Sequence, residues 1–228
     1  LDPDIFKRIN NLFVSAFDDH TTINGYHILA QDGSDVNIPF MDDKTKTEKH
    51  DAKSFCQYHV NALYDCLNKV FYDWSIDAAS KKREVNALIS ILKDRNYPQN
   101  SIFTADRGYE SYNLMAHFIE NDIKFVIRVK DIHTKVGLMT NVRTEEGAFD
   151  MRISRTLTSL QTKEIKADKE KYIFVPTTSN FDFLDETRVF YDLSFRAVRF
   201  KISEDVYETV VTNLSEEEFG TDDFKELY

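Results

Sequence analysis

Two aspartates in this chain each close a short apolar run and stand just ahead of a glycine. The first run is Ile28-Leu29-Ala30-Gln31-Asp32-Gly33-Ser34, and the second is Ile102-Phe103-Thr104-Ala105-Asp106-Arg107-Gly108-Tyr109. Buried parallel strands read as continuous apolar runs, and ligands of open α/β sheets sit outside the carboxyl ends of such strands. If the two runs are neighbouring strands, Asp32 and Asp106 face each other across one small site. Carboxylates held that close repel unless a proton or a cation separates them. A hard divalent ion such as Mg²⁺ suits the place, because it takes oxygen ligands from one or two carboxylates plus phosphates.

The rest of the pattern must position these residues. Ile5, Ile9, Leu12 and Phe13 recur at helical spacing, and with the start signal Asp2-Pro3 they predict a helix from Asp4 to Phe17. Thr21 to Gly25 is a polar break. Tyr26 to Phe40 reads as two strands around a turn at Gly33-Ser34, and Met41 to Ser54, charged and aperiodic, as an exposed loop. Gln57 to Cys66 and Val70 to Ile76 flank Leu67-Asn68-Lys69 and predict a hairpin. An amphipathic helix follows from about Lys81 to Arg95, with Val85, Leu88, Ile89 and Leu92 as its buried stripe. Ile102 to Ala105 is a strand. Glu110 to Asn121 is a helix with Tyr112, Met115 and Ile119 on one face and Leu114 and Phe118 beside them. Phe125 to Val129 is a strand again. A right-handed crossover through the helix at 81–95 lays the second aspartate run beside the first.

After Lys130 helical periodicity is lost. The expected division is a helical lead-in over 1–20, the first part of the core over 21–131, a β-rich insertion over 132–212 and the start of a final core helix over 213–228. The insertion is expected to end with strands at Phe195 to Ile202 and Val206 to Thr212, and the final helix to begin near Thr221.

The 228 residues, 42% hydrophobic and 30% charged, are enough for a real core and do not read as disordered. A net charge of −10 argues against a domain that holds nucleic acid by bulk electrostatics, though not against a local nuclease-like centre. No apolar stretch approaches the roughly 20 residues that span a bilayer, and no signal peptide opens the chain. A cytoplasmic protein is expected. Cys56 and Cys66 are too few for a disulfide framework and lack metal-ligand spacing, so both are expected reduced. The opening Leu1-Asp2-Pro3 lacks a methionine and reads as a trimmed end.

Five blocks now stand in order. Gly25-Tyr26-His27-Ile28-Leu29-Ala30-Gln31-Asp32-Gly33-Ser34 resembles the first catalytic block of bacterial DDE transposases of insertion sequence family 4. Ala105-Asp106-Arg107-Gly108-Tyr109-Glu110-Ser111-Tyr112-Asn113-Leu114 resembles the second. Phe125-Val126-Ile127-Arg128-Val129-Lys130 looks like the strand that follows. Val210-Val211-Thr212-Asn213-Leu214 and Phe224-Lys225-Glu226-Leu227-Tyr228 resemble the approach to the third block. The resemblance covers roughly residues 5 to 228 and is weakest in the insertion.

It implies a ribonuclease H-like fold, a mixed sheet with helices on both faces. It implies DNA cutting and joining with two Mg²⁺ (or Mn²⁺) ions held by two aspartates and a glutamate. Asp32 and Asp106 match the first two ligands and Tyr228 the tyrosine that opens the third block. The arginine and glutamate of that block then fall beyond Tyr228, so residues 1–228 are expected to lack the third carboxylate and to be inactive alone. Neither Glu226 nor Glu110 is read as its substitute. The implied partners are DNA, as element ends and target, and a second protomer in the active complex, with the protein at the bacterial nucleoid when active.

Arg107 reads either as a phosphate contact or as the partner of a nearby acid, and Arg128 with Lys130 either as phosphate contacts or as a solvated strand edge. Tyr109, Tyr112 and Trp74 read as core. Lys81-Lys82-Arg83 reads as a solvated helix start, and the histidines show no pairing of a metal cage or triad. Two other readings are open: a different ribonuclease H-like nuclease, or a non-catalytic DNA-binding or interaction remnant of a transposase.

Overall fold

A chain with two aspartate-capped apolar runs needs a sheet to carry them. The computed structural model describes residues 4–16, 19–41, 45–49, 52–79, 83–132 and 134–227. The described chain is mixed α/β, and by its contacts it divides into two units, Leu1–Phe103 and Thr104–Tyr228.

The first unit opens with α1 (Asp4–Val14). The expected end at Phe17 lies outside the described residues. The apolar stripe forms the helix as expected, but Ile5, Ile9, Leu12 and Phe13 face solvent and Val14 is buried. Next come β1 (His27–Ile38), β2 (Lys46–Lys49), β3 (Ala52–Asp65) and β4 (Val70–Ala78). β1 runs antiparallel to β3 along its length, from Leu29 opposite Asp65 to Ile38 opposite Cys56. The other edge of β3 is shared, with β2 beside its start and β4 beside the remainder.

Two expectations fail here. Gly33-Ser34 is not a turn: Gly33 pairs with Asn61 and Ser34 with Val60 inside one continuous strand. A full-length partner strand outweighs local turn chemistry, because strand preference is set by what the strand packs and pairs against. Nor is Met41 to Ser54 all loop, since Lys46 pairs with Cys56 and Thr47 with Phe55. A short lysine-bearing strand is how sheets blunt an edge, and such charge reads as loop in sequence.

The hairpin of β3 and β4 forms as expected, with Lys69 in the left-handed region at φ 58°. Its turn is built on Asp65, which is fully buried. Asp65 Oδ1 accepts the Leu67 and Asn68 amides at 3.0 and 2.9 Å, and Oδ2 accepts from Asn68 Nδ2 at 2.9 Å and lies 2.7 Å from His27 Nδ1. Trp74 on β4 is half-buried rather than core, with Lys7 Nζ 5.9 Å from its ring centroid. α2 (Glu84–Asp94) buries Leu88, Ile89, Ile91 and Leu92, while Val85 is only half-buried. Lys81 and Lys82 lie outside the described residues. β5 (Ser101–Ala105), buried at every position, lies beside β1, and its first three residues close this unit.

The second unit starts with the last two residues of β5. A 3-10 turn at Arg107–Tyr109 leads to α3 (Tyr112–Glu120), whose N-cap Ser111 accepts the Leu114 amide at 3.4 Å. Then come β6 (Lys124–Val129), β7 (Phe149–Thr158), α4 (Lys163–Ala167), β8 (Tyr172–Phe174), β9 (Phe190–Ser203), β10 (Val206–Thr212) and α5 (Phe224–Leu227). The strand order is β6-β10-β9-β7-β8. All neighbours are antiparallel except β7 and β8. Among the described residues after Lys130 the regular structure is mainly strand, and β10 pairs directly with β6.

α3 is buried on more than its apolar stripe. Asn113 and His117 bind the loop at 176–189 through Asp182, with His117 Nε2 2.7 Å from Asp182 Oδ2 and the Asp182 amide 2.9 Å from Asn113 Oδ1. Three arginines of β7 and β9 are buried: Arg155, Arg196 and Arg199. Arg196 grips Asp150 with two guanidinium nitrogens, gives Nη1 to the carbonyls of Ser215 at 3.2 Å and Phe219 at 2.7 Å, and lies 5.2 Å from the Phe224 ring centroid.

Candidate active site

In the first unit, β1 is buried on both faces from His27 to Leu29 and again at Gln31, and it becomes exposed at Asp32. The Asp32 carboxylate takes the Gly33 amide on Oδ1 at 2.8 Å. In the second unit, β5 ends buried at Ala105 and the chain is exposed at Asp106. Asp106 caps the 3-10 turn, its Oδ1 accepting the Gly108 amide at 2.8 Å. Each carboxylate thus has one oxygen fixed by the backbone. Oδ2 of each makes no hydrogen bond or ion pair among the described residues. An all-oxygen donor of this kind suits a hard cation. Among the described residues no group of three or more His, Cys, Asp or Glu is arranged to hold a metal.

The other residues singled out by sequence are placed as follows. Arg107 is exposed on the 3-10 turn. Arg128 on β6 forms a bidentate pair with Glu208 of β10, so a phosphate contact from it needs that pair to open. Lys130 is half-buried, and its amide donates to Glu110 Oε2 at 3.3 Å. Glu110 also takes the Leu138 amide and is occupied with holding this loop. Glu226 is exposed on α5, and Tyr228 lies outside the described residues. Tyr109 is buried, as expected. Burial pushes the Tyr112 phenol up to about 12, so it stays protonated at neutral pH. Cys56 and Cys66 are both free thiols, the first buried and the second exposed.

One feature was missed. His59 of β3 is 0% exposed and lies with Nδ1 2.6 Å from Asp35 Oδ1 and Nε2 3.4 Å from Glu84 Oε1. Its signal in sequence is faint: polar Gln57, His59 and Asn61 alternate in a strand, as do Gln31, Gly33 and Asp35. Only the register of β1 on β3 puts the two alternations on one face.

Residues 23–228 match the transposase DDE domain family. The chain belongs to that family, and its described residues are mixed α/β. No curated protein matches the chain. Among solved structures it is similar to the piggyBac transposase in its synaptic complex with hairpin DNA, at 10% identity and a TM-score of 0.42, over 87% of this chain and 39% of that one. The chain thus spans well under half the length of that protein.

No helix among the described residues is long and apolar enough to cross a membrane.

Proposed function

We propose that this chain carries the first two metal-holding carboxylates, Asp32 and Asp106, of a transposase that cuts and joins DNA at the ends of an insertion element. One observation carries the reading: two neighbouring strands leave the core at an aspartate. β1 and β5 set out from one level, since the His27 amide donates to the Asn100 carbonyl at 2.9 Å. Asp32 follows His27 by five positions, and Asp106 follows Ser101 by five.

Asp32 and Asp106 would hold two Mg²⁺ or Mn²⁺ ions, which when bound would activate a water or a DNA 3′-hydroxyl and stabilise the leaving oxygen of an in-line displacement. The chain's own part is positional. The Gly33 and Gly108 amides fix one oxygen of each carboxylate and leave the other for the cation. Arg107, Lys130 and, once released from Glu208, Arg128 supply positive charge to phosphates, with Tyr228 at the opening of the third block. The β-rich stretch over 132–212 is the insertion of the family pattern. By that pattern the third carboxylate falls beyond Tyr228, so residues 1–228 alone bind the ions weakly and do not cut. The active complex is a dimer on DNA in the bacterial cytoplasm.

The test is a strand-cleavage assay with Mn²⁺ on residues 1–228 and on the chain extended through the next helix. Cleavage by the extended chain, lost in Asp32→Ala and in Asp106→Ala, supports the reading. Robust cleavage by residues 1–228, lost in Asp106→Ala, places the third ligand within them. Cleavage that survives both substitutions overturns the reading.

A further inference from the structure

Side chains alternate along a strand. Gln31, Gly33 and Asp35 therefore share the face of β1 away from Asp32, and on β3 Leu63, Asn61 and His59 stand opposite them. This face is polar yet buried at Gln31, Asn61 and His59. A buried polar group is costly unless it is held; His59 is held at Nδ1 by Asp35, while its Nε2 lies 3.4 Å from Glu84 Oε1 in the first turn of α2 and makes no hydrogen bond among the described residues.

The ring also explains a glycine. A Cβ at Gly33 would lie 2.6 Å from His59 Nε2, 2.8 Å from Cε1 and 3.0 Å from Glu84 Oε1. Gly33 is not among the positive-φ residues, so the backbone does not demand glycine there. The close approach of His59 does. The amide of this same glycine holds Asp32 Oδ1 at 2.8 Å. A line of contact therefore runs from Asp35 and Glu84 through His59 to Gly33, and from Gly33 to the Asp32 carboxylate.

We infer that His59 is a positioning residue for Asp32: held at Nδ1 by Asp35 and packed beside Glu84, its ring seats against Gly33 and fixes the amide that orients the carboxylate for its ion. The inference rests on the reading of Asp32 as a metal-holding group. Residues that orient a ligand without touching the metal typically cost 10–100-fold in metal affinity when removed.

The experiment uses the extended, cleaving chain. Mg²⁺ affinity is measured by isothermal titration calorimetry without DNA, and strand cleavage against Mg²⁺ concentration and, separately, against DNA concentration, for wild type, His59→Ala, His59→Asn, Gly33→Ala, the Gly33→Ala/His59→Ala double variant and Asp32→Ala. For His59→Ala the Mg²⁺ concentration giving half-maximal cleavage is expected to rise about tenfold, with the KM for DNA unchanged. His59→Asn, whose amide reaches Asp35 as Nδ1 does, recovers part of that rise. Gly33→Ala is severely impaired alone but adds nothing in the His59→Ala background, where the ring no longer fills the notch. A purely structural role lowers the melting temperature without moving the Mg²⁺ requirement. An unchanged requirement in both His59 variants, or Gly33→Ala equally harmful with and without His59, overturns the inference while loss of cleavage in Asp32→Ala leaves the metal reading standing. Cleavage that survives Asp32→Ala overturns the metal reading, and this inference with it.

Discussion

Arg199 holds Asp131 by two parallel bonds, Nε to Oδ1 and Nη2 to Oδ2, each 2.8 Å long. The guanidinium is nearly buried, its Nη1 goes to the carbonyl of Gly147 at 2.8 Å, and its face lies 4.1 Å from the Tyr207 ring centroid. The Thr209 hydroxyl adds a bond to Asp131 Oδ1 at 2.8 Å. One carboxylate just past β6 is thereby tied to β9 and β10.

This pair gives stability a pH dependence of definite sign. The Arg199 guanidinium pulls the Asp131 carboxyl down from its ordinary 3.8 to about 2. The folded value lies below the unfolded one. The contribution is therefore full above about pH 4 and is lost as pH falls through the folded value near 2. Melting temperature measured from pH 7 to pH 2 should drop in that window, and Asp131→Asn should flatten the drop. At pH 7 the same substitution strands a buried guanidinium. The expected cost is about 2–3 kcal/mol, less than the 3–5 of a fully buried pair because Asp131 is partly exposed.

Asp65 should be among the least replaceable polar residues of the first unit. It is fully buried and makes the bonds that close the β3–β4 turn and hold His27. Asp65→Ala leaves two amides and an imidazole without their acceptor, at an expected cost of about 3 kcal/mol or more in denaturant unfolding. The exposed Asp222→Ala should stay within about 0.5 kcal/mol of wild type.

Gly137 adopts φ +129°, and a Cβ there would press on the Glu110 carboxylate. Gly137→Ala should cost about 1–3 kcal/mol in the same assay. Glu110→Gln, which keeps an acceptor for the Lys130 and Leu138 amides, should cost less.

Salt dependence separates the arginines. If Arg107 neutralises one phosphate, Arg107→Ala should reduce the slope of log affinity against log salt by about one unit in the extended chain. Arg128→Ala should change it less, because the guanidinium is already neutralised by Glu208. An unchanged slope for Arg107→Ala removes it from the DNA contacts.

Elements with strong periodicity were legible in the sequence: α2, α3, β5, β6 and the β3–β4 hairpin all stand where their apolar spacing puts them. The errors lie where a partner distant in sequence decides. Gly33-Ser34 carries turn chemistry, but β3 pairs across it. Lys46 to Lys49 carries loop chemistry, but an edge strand tolerates charge. Asp32 and Asp106 stand where burial ends abruptly, and that change is a one-dimensional signal. The clamp on His59 was not, because Asp35, His59 and Glu84 meet only through strand register and helix packing.

The wrapping of residues 215–224 around Arg196 has a consequence in time rather than in space. Four residues of α5 are too few to hold a helix by themselves. The carbonyls of Ser215 and Phe219 and the ring of Phe224 all meet one guanidinium, and the Thr221 hydroxyl reaches the Asp150 carboxylate that guanidinium grips. That template exists only once β7 and β9 have paired, since Asp150 and Arg196 come from those two strands. The tail is therefore expected to order after β7 and β9 have paired. In hydrogen exchange its amides should open first when Asp150 is replaced, while those of β9 and β10 stay closed.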